Sequence, residues 1–174
     1  MSARDSAPKS PRDEVFTRVF DAHWAAIRHH IEGVVADDAV VTEIVSEVFF
    51  RAWTRLNPRR PMGRIWLLRA AERAVKASVR RPATGSSAAA AVHAGVGGEQ
   101  SATAPGASGV VLRALSVLPE RERRIIMLTY WDGLTVGEIA ELSRTSATRV
   151  RKALHRANEH VRAALRSEGV IVDD

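Results

Sequence analysis

The stretch GLTVGEIAELSRTSATRVRKALHRA, residues 133–157, holds two short helical patterns around a polar turn. Thr135 and Glu138 fit the S/T-x-x-E capping box, in which the hydroxyl satisfies an orphan amide while the carboxylate reaches back to the cap. A helix therefore starts at Thr135. Ile139, Ala140 and Leu142 give it a buried side, SRTS supplies a turn, and Val150, Leu154, Ala157, Val161 and Leu165 form the apolar stripe of a second helix. This spacing predicts a helix-turn-helix. Arg149, Lys152 and Arg156 fall at i, i+3 and i+7 on the opposite face, with Ser146, Thr148 and Arg151 beside them. That face is at the N-terminal part of the second helix, where such a motif meets the major groove. Basic groups there neutralise phosphates, and Arg pairs bidentately with guanine. The competing reading is a charged face that merely meets solvent.

Upstream, LPERERRIIMLTYWDGL places Pro119 at a helix start, Glu120 and Glu122 in the first turn, and Gly133 after the last. Before it, residues 82–109 are built of Ala, Gly, Ser, Thr and Pro, with Glu99 the only Asp, Glu, Lys or Arg. So little bulky apolar surface predicts a flexible linker. The chain then divides into a polar tail over 1–12, a domain over 13–81, the linker over 82–109 and a second domain over 110–168.

In the first domain Phe16, Phe20, Trp24, Ile27 and Ile31 recur at helical spacing until Gly33. After a cap at Asp37 or Asp38, a broad stripe runs from Val41 through Ile44, Val45, Val48, Phe49, Ala52 and Trp53 to Leu56. Pro61 sits where a third helix can begin, and Ile65, Leu68, Ala71, Val75 and Val79 carry it into Arg80-Arg81. No convincing period-two pattern occurs, so the expected fold is all-α: two small helical domains joined by a linker.

Composition narrows the function. With 26 Lys plus Arg against 20 Asp plus Glu the formal charge is +6, which favours a polyanionic partner, nucleic acid first. The absence of Cys removes disulfides, thiolate metal sites and a cysteine nucleophile. There is no Gly-rich phosphate cradle, nucleophile elbow or HExxH helix, and the spacing of His155, Glu159 and His160 lacks a supporting third ligand. The expectation is a non-enzyme with no catalytic residue, metal or cofactor. No signal peptide or apolar run of about 18 residues is present, so neither export nor a membrane span is expected, and the location should be cytoplasmic, at the nucleoid.

Three stretches in fixed order resemble the extracytoplasmic-function sigma factors, the smallest type of bacterial RNA polymerase sigma subunit. LPERERRIIMLTYWDGLTVGEIAELSRTSATRVRKALHRA is similar to their region 4, VVTEIVSEVFFRAW to region 2.2, and WLLRAAERAVKASVRR to the Trp-Leu helix of regions 2.3 and 2.4. The resemblance implies that Ser146, Thr148, Arg149, Arg151, Lys152 and Arg156 face the upstream, minus thirty-five promoter element. It implies that Glu43 and Glu47 face the largest polymerase subunit, while Phe49 and Trp53 pack inside. Trp66, Arg69, Arg73, Lys76, Arg80 and Arg81 would lie along the melting, minus ten element. Core RNA polymerase and promoter DNA, double-stranded and locally melted, are the implied partners. An anti-sigma protein is a further candidate, since many relatives are held inactive by one.

The chain also departs from these relatives. The connection TRLNPRRPMGRI is short and lacks the usual aromatic, and Ser46, Arg73 and Ala77 replace the frequent Gln, Asn and Asp. Arg144 stands where a turn glycine is common, at a cost if its φ is positive. Among the tryptophans, Trp24 and Trp53 are expected in the core, with base stacking as the alternative. Arg59, Arg60 and Arg64 either contact phosphate or decorate a loop. Two other functions remain: a helix-turn-helix regulator independent of polymerase, and a degenerate sigma-like adaptor that does not open promoters.

Overall fold

The computed structural model describes residues 10–80, 107–167 and 169. All regular structure among them is helical: α1 Pro11–Glu32, α2 Asp38–Arg55, α3 Arg64–Arg80, α4 Ala107–Ser116, α5 Glu120–Ile126, α6 Val136–Leu142 and α7 Ala147–Ser167. Helix α1 begins inside the stretch read as a polar tail. Ser10 Oγ accepts from Asp13 N–H and the Asp13 carboxylate accepts from Ser10 N–H, a full capping box with Pro11 in the first turn. Asp37 caps α2 as expected, accepting from Ala39 and Val40 N–H. Helix α3 starts three residues beyond Pro61, at Arg64. Helix α4 starts at Ala107, inside the stretch assigned to the linker; residues 81–106 lie outside the described ones.

Helices α1, α2 and α3 pack on one another around Ile27, Ile31, Val41, Ile44, Val48, Phe49, Ala52, Leu67 and Leu68, all buried. Phe20 stacks edge-on against Phe49, and Phe16 against Trp53, where the Arg12 guanidinium covers the indole. Trp53 is half-buried, but Trp24 departs from the core expectation: it is 39% exposed, beside Phe20 and Arg28. The stripe had only to place it near the edge of the helix's apolar face, where the outer side of a large indole meets water.

In the second half, α7 is the spine on which α4, α5 and α6 pack. Pro119 precedes α5, which widens after Ile126 into a π turn over Met127–Trp131, with Asp132 N–H donating to Met127 O. Gly133 follows at φ +63, a left-handed conformation that a side chain would strain.

The two halves share a core. Leu128, Leu134, Ile139, Ala140, Leu142 and Val150 are continuous with the buried residues of α1–α3, and α6 lies directly on α3. By contrast, a separate small cluster within the second half holds Leu118, Ile126 and Ala157, flanked by Leu115, Leu154 and Val161. The apolar surface of α6 is thus shared between α3 and the helices of its own half.

Candidate nucleic-acid interface

Helices α6 and α7 form the expected helix-turn-helix, and each end has a local cause. Thr135 Oγ1 accepts from Glu138 N–H at 3.2 Å, and Thr135 N–H donates to Glu138 Oε2 at 2.8 Å. Together with the Thr135 hydroxyl and then the Arg64 guanidinium, that backbone donation holds the Glu138 carboxyl below its usual value. At the other end, Arg144 N–H donates to Glu141 O and Thr145 N–H to Ala140 O, the pair of bonds that closes a Schellman turn. The residue in its left-handed position is Arg144, at φ 52.

Ser146 then opens α7, its Oγ accepting from Arg149 N–H at 3.3 Å. Val150 and Ala157 are buried on the inner side, which turns Thr148, Arg149, Arg151, Lys152 and Arg156 outward, all exposed. None of these four cations has an ion-pair partner among the described residues. The result is an exposed basic ridge on a rigid helix, with side chains long enough to reach phosphates and base edges.

The α3 candidates are divided. Trp66 is half-buried and packs on the common core, while Arg73, Lys76 and Arg80 are exposed; Arg81 lies outside the described residues. Arg69 is half-buried and donates to Glu141 O, a backbone group of the helix-turn-helix. Arg69, Arg73 and Lys76 line an open cleft with Glu72, Leu142 and Arg144. On α2, Glu43 is exposed and Glu47 pairs with Arg51 at 2.5 Å. One turn beyond them Phe50 is 67% exposed, an apolar group beside Glu43 and Glu47 that the sequence reading did not name. The spacing 43, 47, 50 was its available signal.

The polar groups joining the halves were not singled out in the sequence as a set. His30 Nδ1 lies 2.9 Å from Asp132 Oδ2, both side chains buried. His29 stacks on Trp131 at 4.3 Å between ring centroids, and Trp131 Nε1 donates to His29 O at 3.0 Å. Arg64, left between phosphate contact and loop decoration, donates to Asp132 O at 2.6 Å. Arg124 donates to Glu72 Oε1 through Nε and Nη2. Burial, and secondly Arg64, lower the pKa of His23. The partners that join the two halves stand between 52 and 102 residues apart, beyond any local pattern.

Residues 108–161 match the family model described as Sigma-70, region 4. The second half resembles a sigma region 4. Solved structures extend the likeness to both halves. One is CnrH in complex with the cytosolic domain of CnrY, at 22% identity and a TM-score of 0.58, covering 87% of this chain and 88% of that one. Another is the sigma factor RpoE in complex with the anti-sigma factor NepR from Bartonella quintana, at 15% identity and a TM-score of 0.55, covering 87% and 96%. No curated protein sequence matches significantly. The sigma resemblance read from the sequence therefore stands on a family match in region 4 and on a shared fold around it. No helix of the described residues is long and apolar enough to cross a membrane.

Proposed function

We propose that this chain is a sigma factor of the extracytoplasmic-function type, which binds core RNA polymerase and directs it to a promoter. The observation that carries the reading is the exposed basic ridge of α7 on region 4, set beside a first half with the sigma fold. Ser146, Thr148, Arg149, Arg151, Lys152 and Arg156 contact the upstream element, the cations on phosphates and guanine edges. Trp66, Arg69, Arg73, Lys76, Arg80 and Arg81 serve the melting element, where an extruded base costs about a few kcal/mol to unstack. The α2 face with Glu43, Glu47 and Phe50 meets the polymerase, an exposed aromatic between carboxylates suiting a basic partner helix.

The polymerase performs the chemistry, and this chain supplies position. An anti-sigma partner is part of the proposal, since both similar structures were solved with such a protein or with a cytosolic partner domain. The domains fall near 13–81 and 110–168, with the second extended to take in α4 from Ala107.

Runoff transcription from a genomic promoter library tests the proposal, using core polymerase with and without this chain and with an Arg149, Lys152 and Arg156 triple-Ala variant. Start sites that require both the chain and those cations are the expected result. Binding to core without start sites would replace the reading by a sigma-like adaptor, and no binding to core by a separate helix-turn-helix regulator.

A further inference from the structure

One cleft concentrates charge that the packing of the fold does not use. It has a volume of about 260 Å³ and is lined by Arg69, Glu72, Arg73 and Lys76 of α3 and by Leu142 and Arg144 at the turn of the helix-turn-helix. Four cations therefore share it with one carboxylate. Glu72 does not neutralise them, because its Oε1 accepts from Nε and Nη2 of a fifth cation, Arg124, at 3.1 and 2.5 Å. Arg69, Arg73, Lys76 and Arg144 have no ion-pair partner among the described residues. Like charges three and four residues apart on one helix repel, so the arrangement costs stability until an anion joins it.

Arg144 points to the cleft independently of the charge count. Its φ is 52, in the left-handed region where glycine is favoured, yet the position holds an arginine whose side chain lines the cleft. Strain retained at such a residue is a sign that its side chain is used. Arg69 adds a spare donor: Nη2 donates to the Glu141 carbonyl, while Nε is shut from solvent and has no hydrogen-bond partner.

We infer that this cleft is a binding site for a short phosphate chain, the diphosphate or triphosphate of a small molecule. Length selects the class. Arg69 and Lys76 stand about 10 Å apart along α3, with Arg73 between them and Arg144 contributed by the turn. A single phosphate meets only part of that row, whereas two or three in line meet all of it through charge-assisted hydrogen bonds. Leu142 is the one apolar residue of the lining, so recognition rests on the phosphates, whatever group carries them. The volume lies near the lower end of small-molecule sites.

Occupancy also bears on promoter use, a step that rests on the sigma-factor reading above. Arg69, Arg73 and Lys76 are the cations proposed for the melting element. A phosphate chain seated among them competes with the DNA backbone for the same charges and lowers transcription without touching α7.

Isothermal titration calorimetry of the full chain at about 150 mM salt tests the site, with inorganic diphosphate, inorganic triphosphate, ADP and sulfate as probes. One saturable site for diphosphate is expected, with triphosphate tighter, ADP similar to diphosphate and sulfate much weaker. Arg73→Ala and Lys76→Ala, both at exposed positions, should each weaken diphosphate about tenfold. Arg144→Gly should weaken it as much while raising the urea midpoint, a combination that damage to the fold would not give. Arg18→Ala removes an exposed arginine of α1 outside the cleft and should bind as the wild type does. In runoff transcription, inorganic triphosphate should inhibit the wild type at about tenfold lower concentration than Arg144→Gly, the polymerase being common to both.

No saturable site for either phosphate probe would overturn the inference. So would wild-type affinity in Arg73→Ala and Arg144→Gly, or equal weakening by Arg18→Ala. Binding of ADP without binding of diphosphate would give the cleft to a base or ribose instead, and loss of single-stranded DNA binding alone in the cleft variants would give it to the DNA backbone. Equal sensitivity of the two proteins to triphosphate would remove the competition. The titrations need no polymerase, so failure to bind core would remove the sigma-factor reading and the competition while the calorimetry still decides the site.

Discussion

His30 Nδ1 and Asp132 Oδ2 meet at 2.9 Å with side chains only 8% and 4% exposed, one from the end of α1 and the other from the π turn after α5. A buried carboxylate deprived of its partner retains its desolvation cost without compensation. His30→Ala should therefore destabilise the protein by about 3 kcal/mol, far more than a typical exposed ion pair contributes. Urea denaturation of the two proteins at pH 7 measures this, and a loss below about 1 kcal/mol would mean that water replaces the histidine.

Gly33 gives a second test of the same junction. A Cβ on it would sit 2.8 Å from Trp131 Nε1 and 3.0 Å from Trp131 Cδ1. Its backbone is ordinary right-handed helix, so the whole effect comes from that approach. The indole is held by its stack on His29 and its bond to His29 O, and yields only by losing them. Gly33→Ala should cost about 1–3 kcal/mol and shift the Trp131 fluorescence toward that of a solvated indole. An unchanged spectrum at unchanged stability would show that Trp131 is free to move.

Arg144 makes the opposite prediction. It closes the Schellman turn between α6 and α7 at φ 52, where an L residue with a Cβ is less favourable than glycine by about 1 kcal/mol. Arg144→Gly should raise stability by roughly that amount, readable as a higher urea midpoint with the same m-value. A decrease would show that the Arg144 side chain gives more in the cleft beside Arg73 and Lys76 than its backbone loses.

What the sequence disclosed and what it concealed follow from range. The Thr135–Glu138 capping box, the Asp37 cap and the glycine at the end of the α5 turn are settled within a few residues, and all three are in place. The outward face of α7 followed from period alone, because Val150 and Ala157 fix which side is buried. Ser10 was missed although it begins the same capping pattern, its polar and Pro-containing surroundings having been read as tail. The polar contacts between the two halves were illegible for a different reason. His30, Asp132, Arg64 and Glu141 are ordinary surface residues until α6 meets α3, and no spacing along the chain records that meeting.

The capping box also sets an acid limit. Thr135→Ala should cost about 1 kcal/mol at pH 7, since it removes the hydroxyl that receives Glu138 N–H. Glu138 is held below its ordinary 4.5 by the Thr135 amide first, then by the Thr135 hydroxyl and Arg64. A carboxylate lowered on folding stabilises the folded state above its ordinary pKa, and the contribution is lost as pH falls through the folded value. Glu138→Gln should therefore flatten the loss of stability below pH 4.5, measured as the urea midpoint against pH. An identical acid limb in both proteins would assign it to other carboxylates.

The basic ridge of α7 makes a prediction in salt rather than in pH. Each cation that neutralises a phosphate releases condensed counterions, so the slope of log K against log salt steepens by about 0.9 per contact. Arg149, Lys152 and Arg156 have no ion-pair partner among the described residues, so they bring their full charge to DNA. Replacing all three by Ala should reduce the slope by about 2.7 if each meets a phosphate, and by less if one is committed to a guanine edge. The two cases separate on sequence. A phosphate contact weakens binding to every duplex alike, whereas loss of a bidentate guanine contact costs about 1–3 kcal/mol on the cognate upstream element and little elsewhere. Fluorescence anisotropy of single-Ala variants on cognate and scrambled duplexes, from about 50 to 200 mM salt, assigns each residue to one role. An unchanged slope for the triple variant would leave α7 a solvated face and remove it from the promoter contact.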